Sequence, residues 1–442
     1  MTSNSEFKKY RPELVLIGIL FVDLFTKVIP VLPLAFCTIL LQFYRVGLIG
    51  NIVMCFLFLP QFFGALMNGI RISGMGGYFI ILGVLLLLYG LITKKIIIHK
   101  PLKSFIALLL LFLLFFISLK FSTGGDWALE KWVQTARNGI FALVAFLVLF
   151  SNVKKINTIL FGTYLILYSF FLLRVSLFVN DISGPLNLFD FGFMRYQTVE
   201  SLGYNSSVFS ISYHMPGYYA LQGVALMMMS IKEINKRYLI SSLVLSLLVI
   251  LYSGARQTIV IIVILFFLWG ILEQKFLWKS FFVILILLFG VLWLYIKNQG
   301  IEELFAPTVE LGYVEGGGRG PWLLRGVELF VRNPIFGVGF GRYSLWGSYG
   351  IYPHNIIIEL LCEIGIFGFI ISVLLCLPFL AKTKHFLKFY IYYIMVLLLH
   401  AMASGGIESN IVIFSFIFAL PGLAYSYNYD KNHCSGAMNF YT

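Results

Sequence analysis

The chain reads as an all-α integral membrane protein of roughly 12–14 transmembrane helices, with one long external loop carrying an amphipathic helix. Three observations predict this. Of 442 residues, 60% are hydrophobic and only 12% charged, about half the charged share of a soluble domain, and the mean hydropathy is +0.93. The apolar residues recur in runs near the length a helix needs to cross hydrocarbon, on the order of 20 residues. One stretch, 297–355, breaks that rhythm with glycines, arginines and a histidine. Because backbone groups in a bilayer must be satisfied within their own segment, the runs are helices.

Taken in order, the candidate spans are 13–27, 30–43, 46–66, 79–93, 104–119, 132–150, 157–179, 209–231, 239–254, 258–272, 279–296, 356–380, 386–402 and 408–427. Several are short enough to be re-entrant or merged. The first follows Lys8-Lys9-Tyr10-Arg11, as a signal peptide would. Asp23 and Lys27 interrupt it, however, and no small-residue cleavage site follows, so an uncleaved first helix is expected. Four parts result: a transmembrane bundle over 1–296, the external (periplasmic) loop over 297–355, C-terminal helices over 356–427 and a cytoplasmic tail over 428–442.

Charge sets the orientation. Lys+Arg number 32 against 19 Asp+Glu, a formal +13. Lys8, Lys9, Arg11, Lys94, Lys95, Lys100, Lys103, Lys154, Lys155, Lys232, Lys236, Arg237, Lys275, Lys279, Lys382, Lys384 and Lys388 fall on one side of the spans. That side is the cytoplasm, so both termini are expected there. Topology explains the excess charge, and no nucleic-acid partner is expected. Loops 120–131, 180–208, 253–257, 297–355 and 403–408 then face outward. In or near them lie Arg71, Arg137, Arg174, Arg195, Arg256, Arg319, Arg325, Arg332 and Arg342: lysine is inside, arginine largely outside. Of the five cysteines, Cys37, Cys55, Cys362 and Cys376 lie in apolar runs and Cys434 in the tail, which implies no external disulfide framework. The two halves show no internal repeat of the kind many transporters carry.

The outward loops hold the residues with chemistry. In Ser253-Gly254-Ala255-Arg256, two small residues precede an arginine whose planar fork suits phosphate. Contact with lipid headgroups is the plainer alternative. Gly316-Gly317-Gly318-Arg319 leads into Pro321-Trp322, and Leu323, Leu324, Val327 and Phe330 alternate with Arg325, Glu328 and Arg332 until Asn333-Pro334. This pattern predicts an amphipathic helix on the membrane surface, most of it a cover for the bundle. Gly337-Val338-Gly339-Phe340-Gly341 follows no strand, so tight turns against a ligand or helix explain it better than a dinucleotide site. Asn355 is placed to cap the next span, with His354 before it and Glu359 and Glu363 on one helical face after it. Histidine can act as a general base near neutral pH, the plainer alternative being that His354-Asn355 just finish the helix. His214, Asp181, Asp190 and Glu200 are further outward acid/base candidates. No His/Cys group has metal-ligand spacing.

Together, Gly318-Arg319-Gly320-Pro321-Trp322, Asn333-Pro334-Ile335-Phe336-Gly337-Val338-Gly339-Phe340-Gly341, Pro353-His354-Asn355, Glu359, Glu363-Ile364-Gly365 and Gly368 resemble the signature of the O-antigen ligase and polymerase superfamily. Ser253-Gly254-Ala255-Arg256 is similar to that family's upstream Ser-x-Ser-Arg element, with Ala255 where a serine is more usual. The resemblance implies a GT-C-like membrane glycosyltransferase, metal-independent and without cofactor, at the outer face of the bacterial cytoplasmic (inner) membrane. Its donor would be an undecaprenyl-diphosphate-linked oligosaccharide, and its partners membrane lipids and a chain-length regulator protein. On the matching positions, Arg256 and Arg319 would hold the diphosphate and His354 would activate the acceptor hydroxyl. Arg325, Asn355, Glu359, His214 and Arg195 stand beside them as supporting candidates. A polymerase joining repeat units is the expected activity. A ligase moving the glycan to lipid A core or another acceptor is the alternative, and a flippase or transporter the more distant one.

Overall fold

The computed structural model describes residues 11–26, 31–60, 62, 76–122, 125–153, 157–179, 214–229, 236–253, 255–272, 319–343, 352–383, 386–403 and 406–433. Every regular element among them is a helix. In chain order these are α1 (Arg11–Thr26), α2 (Val31–Leu57), α3 (Gly76–Ile92), α4 (Pro101–Lys120), α5 (Gly125–Ser151), α6 (Thr158–Val179), α7 (His214–Met229), α8 (Lys236–Ser253), α9 (Arg256–Leu272), α10 (Arg319–Arg332), α11 (Ile356–Thr383), α12 (Leu387–Ala401), α13 (Ile407–Asn410) and α14 (Val412–His433). Five stretches, Pro33–Leu57, Pro101–Lys120, Gly125–Ser151, Ile356–Thr383 and Ile407–Ser426, are long and apolar enough to cross a membrane. The protein is an all-α integral membrane protein, as its composition predicts.

Three boundaries differ from the sequence expectation. Spans 30–43 and 46–66 are joined in α2, which kinks at Gly47 (φ 77°, ψ 173°) instead of ending there. Helix α5 begins at Gly125, not 132, and so takes Lys131 out of the expected loop. Helix α14 runs on to His433, into the expected tail. The expected span 279–296 lies outside the described residues.

Lipid tails are as apolar as leucine, so close fit and polar pairing must hold such helices together. The fit is tightest between α6 and α7, where a methyl group added at Gly162 would stand 2.5 Å from the Gly223 carbonyl oxygen. An aromatic cluster joins α5, α12 and α14: Phe416 meets Phe146 and Phe150 edge-on at 5.1 Å each and stacks on Tyr393 at 5.5 Å.

Polar pairing is supplied by buried and half-buried ions. Arg45 of α2 donates to Glu13 of α1 at 2.9 Å, and Arg174 of α6 donates to Asp23 of α1 at 3.0 Å. Asp23, which interrupts the first apolar run, is therefore an internal partner. Arg174 is buried within a helix rather than sitting in an outward loop. Ionisable groups inside a membrane pair in this way because isolated charge there is costly.

Candidate functional site

Helix α11 is broken. At Gly365 the backbone takes φ 68°, ψ −179°, a region essentially reserved for glycine. The break frees backbone groups that hydrocarbon cannot satisfy, so protein must do it. The segment after α10 lies in the gap. Val338 N–H donates to Cys362 O at 2.8 Å and Gly339 N–H to Glu363 O at 3.0 Å, while Ile366 and Phe367 donate back to Pro334 O and Ile335 O at 2.8 and 3.2 Å. Ser118 of α4 completes the seam: its hydroxyl donates to Glu363 O at 3.0 Å and accepts from Phe340 N–H at 3.0 Å. The run 337–341 is thus a set of tight turns against a helix. Gly337, Gly339 and Gly341 have positive φ, and a side chain on them would meet the backbone of Glu363, Ser122 and Ala128 respectively.

Beneath the seam lies a charge cluster inside the bundle. The Lys131 ammonium of α5 donates to Glu359 Oε1 at 2.7 Å and Glu363 Oε1 at 2.8 Å, and all three side chains are buried. The ammonium also stands 5.3 Å from the centre of the Phe340 ring, which stacks on Phe115 at 4.9 Å. Glu359, a sequence candidate, is therefore engaged by Lys131. Sequence reasoning missed the lysine, because its partners Glu359 and Glu363 lie more than two hundred residues further along the chain.

Four of the remaining candidates lie at helix starts. His214, Arg256 and Arg319 are the first residues of α7, α9 and α10, and Asn355 caps α11. Its Oδ1 accepts from Ile357 N–H at 3.0 Å and Ile358 N–H at 3.2 Å. The starts of α7 and α9 meet, since a methyl group added at Gly217 would lie 3.0 Å from the Thr258 hydroxyl and 3.1 Å from that of Ser253. In the turn between α8 and α9 the Thr258 hydroxyl donates to Ala255 O at 2.5 Å, and Ala255 itself is fully buried. The end of α12 ties this pair to α11. His400 lies 3.3 Å from Gln257 Nε2 and stacks on Tyr218 at 3.8 Å, while Asn355 Nδ2 donates to Met402 O at 3.4 Å. Three helix N-termini thus gather round one helix end, each bringing positive dipole character. His354, half-buried, sits at the edge with φ 56°, its ring 4.5 Å from that of Tyr352.

Helix α10 lies against this group. Gly326 packs on Ile358 and Pro353, and the Tyr343 hydroxyl donates to Trp322 O at 2.6 Å. Burial pushes the Tyr343 phenol up, which keeps it a donor. Arg319 is seven residues before Gly326, about 10 Å along the axis. The amphipathic helix is as expected, but its faces are three rather than two. Trp322, Gly326 and Leu329 pack inward; Leu323, Leu324, Val327 and Val331 are exposed; Arg325, Glu328 and Arg332 form the third side. The small Gly326 brings the packed face close, turning the apolar residues away from the bundle. Arg325 pairs with Glu328 at 2.7 Å on that polar side. Arg195, Arg71, Asp181, Asp190, Glu200 and Gly316–Gly318 lie outside the described residues.

This is a membrane protein with several helix starts gathered at one end of its bundle. Residues 241–373, which hold α9, α10 and most of α11, match a family model described as O-antigen ligase. The match agrees with the O-antigen ligase and polymerase superfamily and supports an activity of that type. No curated protein matches the chain, nor does any solved structure.

Proposed function

We propose that the protein is a membrane glycosyltransferase that joins lipid-linked repeat units of a surface polysaccharide at the outer face of the cytoplasmic membrane. The observation that carries this is the position of Arg256 and Arg319 at helix starts. A cation there opposes the helix dipole at a cost of about 0.3–1 kcal/mol. A diphosphate between them would reverse that sign, since it is attracted by guanidinium and N-terminus alike.

In the reaction, the acceptor hydroxyl oxygen attacks the anomeric carbon from the side opposite the diphosphate. The new glycosidic C–O bond forms as the bond to the diphosphate oxygen breaks, inverting the anomer. The hydroxyl proton passes to His354, and undecaprenyl diphosphate departs with its charge held by Arg256 and Arg319. His214, at the neighbouring helix start, and Asn355, which fixes the turn behind His354, support the site. A ligase would use the same donor and groups with a lipid A core acceptor. A chain-length regulator would then be a partner of the polymerase alone.

The test is to incubate the purified protein in lipid with undecaprenyl-diphosphate-linked repeat unit. A ladder of longer glycans is expected, and Arg256→Ala, Arg319→Ala and His354→Ala should each lose it while remaining in the membrane fraction. Product that appears only when lipid A core is added assigns the ligase reaction instead. Transfer retained by His354→Ala removes the general base from the mechanism.

A further inference from the structure

We propose that Lys131 is a positioning residue that holds His354 in register for transfer; this rests on the reaction proposed above. The break at Gly365 separates residues 356–364 from the rest of α11. That leaves about two and a half turns whose orientation the lower helix does not dictate. His354 precedes this short piece, in a left-handed conformation that costs a non-glycine residue about 1–2 kcal/mol. A strained turn keeps its shape only while the helix behind it is fixed.

Lys131 fixes it from the side. Glu359 and Glu363 are four residues apart, so they occupy one face at successive turns. A single ammonium bonded to both, at 2.7 and 2.8 Å, sets the rotation of the short helix and its height together. The ammonium is in turn confined by the Phe340 ring, so the clamp joins α5, the inserted segment and α11. Among the described residues, the second oxygens of both carboxylates lack a hydrogen-bond partner, and Lys131 is the cation paired with both. The Gly341 backbone lies beside Glu363, and Glu408 is a third carboxylate near the ammonium. Lys131 lies outside the 241–373 match, whereas the residues it would position lie inside it.

Lys131→Met alone would strand two buried carboxylates and could fail to fold. The informative protein is therefore the neutral triple variant Lys131→Met/Glu359→Gln/Glu363→Gln, with Lys131→Arg as the conservative control. Because the reacting groups are untouched, the donor KM should stay within about twofold while kcat falls on the order of tenfold to a hundredfold. Lys131→Arg should recover part of that loss. Hydrogen exchange in peptides covering 352–364 should be faster in the triple variant and near wild type in Lys131→Arg. A triple variant with wild-type kcat overturns the proposal and reduces the cluster to a stability element. If the wild-type protein transfers no glycan at all, the functional reading fails. Exchange over 352–364 then decides the clamp alone, and unchanged exchange refutes it.

Discussion

Replacing Gly365 by alanine tests whether the interrupted helix is held as described. Two terms add. An alanine forced to φ 68°, ψ −179° costs about 1–3 kcal/mol. Its methyl group would also collide with the Ile335 carbonyl, pushing the inserted segment away and endangering the Ile366–Pro334 and Phe367–Ile335 hydrogen bonds. At about 0.5–1.5 kcal/mol for each bond, the total is about 2–6 kcal/mol. Gly47 provides an internal control. It has nearly the same backbone angles, φ 77° and ψ 173°, but nothing stands within 4 Å of an added methyl. Gly47→Ala should therefore lose only the strain, about 1–3 kcal/mol. The assay is equilibrium unfolding in mixed micelles followed by tryptophan fluorescence. If Gly365→Ala is no more destabilised than Gly47→Ala, within about 0.5 kcal/mol, the inserted segment is not bonded to the helix and the reasoning fails.

Two further predictions concern neighbouring devices. Asp23→Asn strands the buried Arg174 and should cost about 3–5 kcal/mol in the same unfolding assay, whereas Asp23→Asn/Arg174→Met should recover most of it. Asn355→Ala removes the acceptor shared by Ile357 and Ile358 and should cost about 1 kcal/mol, with Asn355→Asp retaining stability; hydrogen exchange at the first turn of α11 reads the difference.

Much of this organisation is legible in the residues because each signal is local. Apolar length announces the helices, the Asn333-Pro334 step ends α10, and Asn355 announces a helix start that the structure confirms. The glycines at 337–341 announce tight turns, and their partner is a helix. What stays hidden is non-local. Nothing near Gly365 states that the helix breaks there, because the break is made tolerable by carbonyls and amides some thirty residues earlier in the chain. Lys131 and Glu359 are more than two hundred residues apart, so their pairing has no sequence spacing to betray it. Arg174 misleads for the same reason: an arginine near a run's end resembles a loop residue until Asp23 of the first helix is brought beside it. The three faces of α10 are likewise invisible to a two-sided pattern, since one glycine decides which side packs.

Those three faces of α10 also give the molecule its own waterline. A helix wetted along Arg325, Glu328 and Arg332, greased along Leu323, Leu324, Val327 and Val331, and bolted to the bundle through Gly326 can neither sink nor roll without cost. Because the bolt is at Pro353 and Ile358, the level at which α10 floats is also the level of His354. In the proposed reaction, a lipid-linked donor whose diphosphate rests at that level would reach the histidine without leaving its leaflet.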